Sequence, residues 1–264
     1  MNHFYASFII LPLLLGTFVY LFCAIHAFRL GKKWPGSRGI FLVFGVLFAI
    51  CSVTGPLPDL AQADFRIHMV THLFLGMLSP LLIHFSRPLT LILRTLSVQK
   101  ARKLVRFFKS RYFRTISHPV NASLLNIGGL WLLYTTHLYE MMHQHELLLV
   151  LVHIHIFLAG YVYTTSILQL EPSPVRYRFS FRSAVLVLSL AAHQILAKYL
   201  YAHPPDGVPL DQAEAGGMLM YYGGDAIDLV MIITLCRKWH KTMQPRGPLH
   251  AIPGYRTSIK ETES

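Results

Sequence analysis

At 264 residues, with 53% apolar and only 14% charged side chains, the chain is too apolar for an ordinary soluble domain, where about a quarter of residues are charged. A formal charge of +12 would point to nucleic acid in a soluble protein; here the basic residues sit between apolar runs, and a membrane surface accounts for them without nucleic acid. Cys23, Cys51 and Cys236 fall one per apolar run with no C-x-x-C pair, which argues against a disulfide framework or a thiolate cluster.

Apolar runs of spanning length recur along the whole chain. We read an all-α, polytopic bundle of seven transmembrane helices at about 8–28, 39–56, 67–86, 119–138, 146–168, 182–202 and 215–236. Helices are expected because lipid cannot satisfy free backbone groups and no barrel-like alternation is present. The start, MNHFYASF, lacks a basic n-region and a small-residue cleavage site, so Phe8–Phe28 is taken as a retained span. Residues 1–240 are expected to form one membrane domain and 241–264, rich in Pro, Gly and charge, a flexible cytoplasmic tail.

Orientation follows from Lys and Arg. The connections 29–38, 87–118 and 169–182 and the tail from Arg237 carry every basic residue except Arg66 and Lys198, while the alternate connections carry Asp59, Asp64, Glu140, Asp206, Asp211 and Glu214. The positive-inside rule then places the N-terminus outside and the C-terminus in the cytoplasm. Within the long inner connection, KARKLVRFFKSRYF (Lys100–Phe113) repeats apolar Leu104, Phe108 and Tyr112 every four residues among basic ones. It predicts an amphipathic helix over about 98–114 lying on the anionic inner leaflet.

The span 67–86, IHMVTHLFLGMLSPLLIHFS, opens with His68 and His72 at i,i+4 and carries Pro80, expected to kink its inner half. That spacing puts both imidazoles on one helix face, where two neutral nitrogens can chelate one metal ion. An interfacial hydrogen-bonding anchor is the plainer reading of such a pair. The metal reading gains weight because His137 and His153 fall at matching depth on neighbouring spans. His155 lies about 200° around the helix from His153 and is expected to face elsewhere. Met69 and Met218, in the outer half, are possible thioether ligands that would suit copper(I), although Met is also a common gap filler.

In the last span GGDAIDL holds Asp225 and Asp228, three apart and so on one face, with His193 and Lys198 of the sixth span as plausible partners. They read as a structural ion pair, a proton relay or support for a metal-bound histidine. Glu140–His143 has the E-x-x-H spacing of di-iron sites, but the second copy and further glutamates that such sites need are missing. There is no G-x-S-x-G, P-loop or dinucleotide motif, and an enzyme is not expected.

Four segments in order resemble the seven-span CtaG family, assembly factors for caa3-type cytochrome c oxidase. HMVTHLFLGMLSPLL carries over His68, Met69, His72 and Pro80. HPVNASLLNIGGLWLLYTTHLYE carries over Pro119, Trp131, His137 and Tyr139, and VHIHIFLAGYVY carries over His153 and Gly160. LDQAEAGGMLMYYGG carries over Asp211, Gln212, the Gly216–Gly217 pair and Met218 or Met220. Val152, Thr164–Thr165, Tyr222–Gly223, Asp225 and Asp228 depart from the family pattern.

The resemblance implies a bacterial cell-membrane protein whose partners are cytochrome c oxidase subunits. It implies copper handling at the outer face through His68, His72, His137 and His153, with Asp211 at the outer mouth. Other functions fit the residues too: a haem-binding redox or transfer protein with two axial histidines, a proton or metal transporter, or a scaffold without metal. A retinal protein would need a lysine in the last span, and 215–236 has none.

Overall fold

Proline, threonine and glycine placement divides the apolar runs into helices. The computed structural model describes residues 3–244 apart from Pro174, with side chains from Ser7 onward, and every regular element among them is helical. The tail residues 245–264 and the side chain of His3 lie outside the described residues. In chain order the elements are α1 (His3–Arg29), α2 (Gly36–Val53), α3 (Pro56–Ala63), α4 (Phe65–Leu73), α5 (Ser79–Ser86), α6 (Pro88–Thr95), α7 (Val98–Phe108) and α8 (Arg111–Ile116). There follow α9 (Pro119–Ser123), α10 (Gly129–Thr135), α11 (Leu138–Gln144), α12 (Glu146–Leu168), α13 (Phe179–Ala202) and α14 (Leu210–Met243).

Among the described residues, six helical segments are long and apolar enough to cross a membrane: Ser7–Arg29, Gly36–Val53, Phe65–Thr95, Glu146–Leu168, Phe179–Ala202 and Leu210–Met243. The expected span at 119–138 forms a shorter rod, α9 and α10 joined by a π-helical turn at Leu124–Gly128. It stops at Thr135 because Thr135 and Thr136 bond back to the carbonyls of Trp131 and Leu132, at 2.7 and 2.6 Å, and Thr136 turns extended. The predicted inner-surface helix is likewise divided at Lys109–Ser110 into α7 and α8, with Phe107, Phe108 and Phe113 clustered at the break. Val98, Phe107 and Tyr112 are left exposed.

The third span is the centre of the bundle: 67% of its most apolar stretch is buried, against 17% for the first span. It is interrupted by a second π-helical turn, Phe74–Leu78, directly before Pro80. Proline has no N–H to give to the carbonyl four residues back, so the Gly76 carbonyl is released and the turn widens around it. Gly160 of α12 fills the space beside it; a Cβ there would stand 2.0 Å from the Gly76 oxygen. On α14 the pairs Gly216–Gly217 and Gly223–Gly224 act the same way, letting α4 and α13 close on that helix.

The basic end of the bundle is tied by cations to helix termini. Arg182 donates to the Ile167 carbonyl and Lys238 to those of Leu168 and Gln169, satisfying acceptors that the end of α12 leaves open. Glu171 is buried beside them. Its Oε1 accepts from the Thr90 N–H at 2.8 Å and hydroxyl at 3.2 Å, and its Oε2 lies 4.0 Å from His84 Nδ1. Burial raises the Glu171 carboxyl above the usual carboxylate range, with the Thr90 bonds opposing the shift.

Candidate metal centre

The third span begins where Asp64 caps α4, accepting from Arg66 N–H at 2.8 Å, and Gln212 Oε1 of α14 accepts the Phe65 N–H at 3.0 Å. The Asp-Gln stretch of the last span therefore positions the histidine helix through Gln212, while Asp211 stays exposed. From this start α4 carries His68 and His72 into the core, both buried and exposed by no more than 7%.

The two histidines share a face but line different cavities. His68 lines a small cavity of about 20 Å3 with His143 and His153. Its Nε2 sits 3.0 Å from the Tyr134 hydroxyl, and its ring lies 6.0 Å from that of His143 and edge-on to Tyr139. His72 points past it into a second cavity with His193.

His143 and His153 each hold Nδ1 against a carbonyl one turn back on their own helix. His143 Nδ1 lies 2.8 Å from the Tyr139 carbonyl and His153 Nδ1 2.7 Å from the Leu149 carbonyl. A carbonyl only accepts, so Nδ1 carries a proton in both rings, and in the neutral form of each ring Nε2 holds the lone pair. Metal-bound histidines are oriented by such a bond from the other ring nitrogen. A neutral His68 that gives its Nε2 proton to Tyr134 keeps Nδ1 as acceptor in the same way. Three imidazoles on α4, α11 and α12 thus line one cavity. A vestibule of about 250 Å3 reaches His143 from outside and is walled by Tyr139, Glu140, Asp206 and Gln212.

His137 stands apart from these rings. Its side chain is 83% exposed, with Nδ1 2.7 Å from Asp206 Oδ2. With Glu140 it forms the one group among the described residues that brings three ligand atoms within 4.8 Å of one another, all exposed. The depth match between His137 and His153 thus did not bring them together, because α10 ends before His137 and the chain folds back as α11. His143 falls between the expected spans 119–138 and 146–168 and comes to His68 through α11. Its signal was the i,i+4 spacing from Tyr139 on a segment with Leu138 and Met142 on the buried side.

The remaining expected residues divide similarly. His155 faces the α9–α10 rod, with Nε2 3.1 Å from the Leu125 carbonyl. Met69 is fully buried in the apolar core, and Met218 is 49% exposed on an outer wall away from the histidines. Asp225 is exposed and accepts from Gln194, while Asp228 is buried and lines the same cavity as His193. Lys198, a proposed partner of the aspartates, instead lies over the Tyr221 ring at 5.4 Å.

An all-helical, multi-pass membrane protein with imidazoles gathered inside one end of its bundle is the class that this fold and site define. The chain belongs to the cytochrome c oxidase caa3 assembly factor family, whose model matches residues 18–242. It is similar to uncharacterized proteins of Mycobacterium leprae, at 25% identity, and of Mycobacterium bovis, at 27%, each over 172 residues covering 62% of this chain. Those 172 residues are 26% of each relative, so the chain spans about a quarter of the length of the curated relatives it matches. No solved structure matches.

Proposed function

We propose that this protein serves the assembly of a caa3-type cytochrome c oxidase by receiving copper at the outer face of the bacterial cell membrane and presenting it to an oxidase subunit. Copper is the cargo, and His68, His143 and His153 are the groups that take it. The observation that carries this reading is the pair of Nδ1–carbonyl bonds at His143 and His153, two residues that line one cavity with His68; sharing one ion would require the three rings to draw closer, since their ligand atoms do not all lie within 4.8 Å of one another. Neutral imidazoles suit copper, and a family defined by oxidase assembly gives that metal a destination. Nothing in this role requires bond-making by the protein, so it acts as a carrier and not an enzyme.

In this account the α9–α10 rod is the fourth of seven spans, the N-terminus is outside, and α7 and α8 lie on the anionic inner leaflet. The vestibule of Glu140 and Asp206 then opens outward, where its carboxylates attract a cation before the imidazoles bind it. Anaerobic titration of the purified protein with copper(I) against a competing chelator tests the reading. Loss of at least tenfold in affinity for one ion in His143→Ala/His153→Ala is expected. Unchanged affinity and stoichiometry would remove the outer imidazoles from the role.

A further inference from the structure

Below the outer imidazoles lies a second built cavity that the carrier reading does not use. His72 of α4 and His193 of α13 face it, with ring centroids 6.5 Å apart and planes inclined by 23°. They are exposed by 5% and 2%, and none of their four ring nitrogens has a hydrogen-bond partner in the protein. Native interiors rarely leave buried polar atoms unpaired, and each such atom costs about 1–3 kcal/mol. Four on two adjacent rings call for partners, and an ion between the rings would take one nitrogen from each.

The walls narrow the choice of that ligand. Buried Asp228 of α14 lines the cavity, as do Met77, Asn126 and Tyr163. Both π-helical turns meet here, since Met77 belongs to the turn Phe74–Leu78 and Asn126 to the turn Leu124–Gly128. Such turns are rare and concentrate at functional sites. Gly224 makes room for the His193 ring, because a Cβ there would stand 2.6 Å from its Cε1. The volume is about 20 Å3, enough for one water-sized species and far too small for a porphyrin.

We propose that His72 and His193, with Met77 and Asp228 in the wall, form a second, interior copper(I) site. Two imidazoles binding one ion through bonds of about 2 Å hold their ring centroids about 6 Å apart, close to the separation present here. Thioether and imidazole together are the donor set that favours copper(I). The Asp228 carboxyl supplies the counter-charge that a buried cation needs. His68 and His72, one helical turn apart on α4, then belong to successive stations on one helix. The assignment extends the copper reading but does not depend on the outer imidazoles binding.

The test is copper(I) stoichiometry of the full-length protein in detergent under reducing, anaerobic conditions, with X-ray absorption on the loaded samples. Wild type is expected to bind two ions. His193→Ala should bind one, and His143→Ala/His153→Ala should bind one whose spectrum contains nitrogen and a sulfur neighbour that Met77→Leu removes. His193→Phe, which keeps the ring volume, replaces His193→Ala if that variant does not purify as a single species. Two ions retained by either His193 variant would overturn the interior site. A single wild-type ion lost in His143→Ala/His153→Ala but kept in His193→Ala would overturn it and leave the outer site standing. A single ion lost only in His193→Ala would support it and sink the outer one. A wild type that binds no copper would overturn both.

Discussion

The His68 imidazole and the Tyr134 hydroxyl meet 3.0 Å apart in the buried core, joining α4 to α10. Tyr134 is 3% exposed and its ring also stands edge-on to Phe65 and close to Tyr139. Through this bond the hydroxyl sets which His68 nitrogen is free for the cavity.

Tyr134→Phe keeps the ring and deletes the hydroxyl, so a buried His68 nitrogen loses its partner. The expected cost is about 1–3 kcal/mol, read by reversible unfolding in mixed micelles, together with weaker copper(I) binding at the outer cavity. Wild-type stability and wild-type copper affinity in this variant would show that the bond neither holds the core nor orients the ring.

Gly160→Ala places a Cβ 2.0 Å from the Gly76 carbonyl oxygen, an overlap that only backbone movement relieves. Overpacking of ordinary cores costs about 1–3 kcal/mol, and a backbone obstacle belongs at or beyond the top of that range. Gly16→Ala meets nothing within 4 Å and is the matched control, expected to be neutral or slightly stabilising. The check is the yield of monodisperse protein and its melting temperature. Equal behaviour of the two variants would contradict the close approach of α12 to the π turn.

His137→Ala removes an exposed ring whose contact is the exposed Asp206. Copper affinity and stoichiometry are expected to stay at wild type, in contrast to His143→Ala/His153→Ala. A loss of bound copper in His137→Ala comparable to that of the double variant would restore His137 to the ligand set.

Glu171 gives a pH dependence whose sign follows from burial. Its folded pKa is raised, so the folded state binds the proton more tightly than the unfolded chain does. The stability that this contributes is full below the unfolded value of about 4.3 and is lost as pH rises through the folded value. Glu171→Gln keeps an Oε1 that accepts both Thr90 bonds and cannot ionise. Its melting temperature is expected to exceed that of wild type increasingly as pH rises from 4 toward neutrality. A constant difference across that range would rule out the linkage.

Much of the architecture was legible from hydropathy, because lipid forces long apolar helices: 146–168 coincides with α12, and 182–202 falls within α13. The expected span at 119–138 was harder, since two back-bonding threonines end α10 before the point where hydropathy fades. The i,i+4 pair His68 and His72 did share a face, as helical period requires. Period alone does not say which neighbours that face meets, and the π turns and glycine pairs direct the two rings to different cavities. His143 was hidden by chain reversal: only the folding back of α11 over the bundle mouth brings a loop histidine to His68. The glycines of GGMLMYYGG were visible in sequence, but their role depends on α4 and α13 lying against them.

The most direct test of the carrier account is the copper content of the caa3-type oxidase purified from cells that lack this protein and carry it back as wild type or as His68→Ala/His143→Ala/His153→Ala. The account predicts that wild type restores the metal and that the triple variant, present in the membrane at equal amount, leaves the oxidase copper-deficient. Full copper content with the triple variant would contradict it.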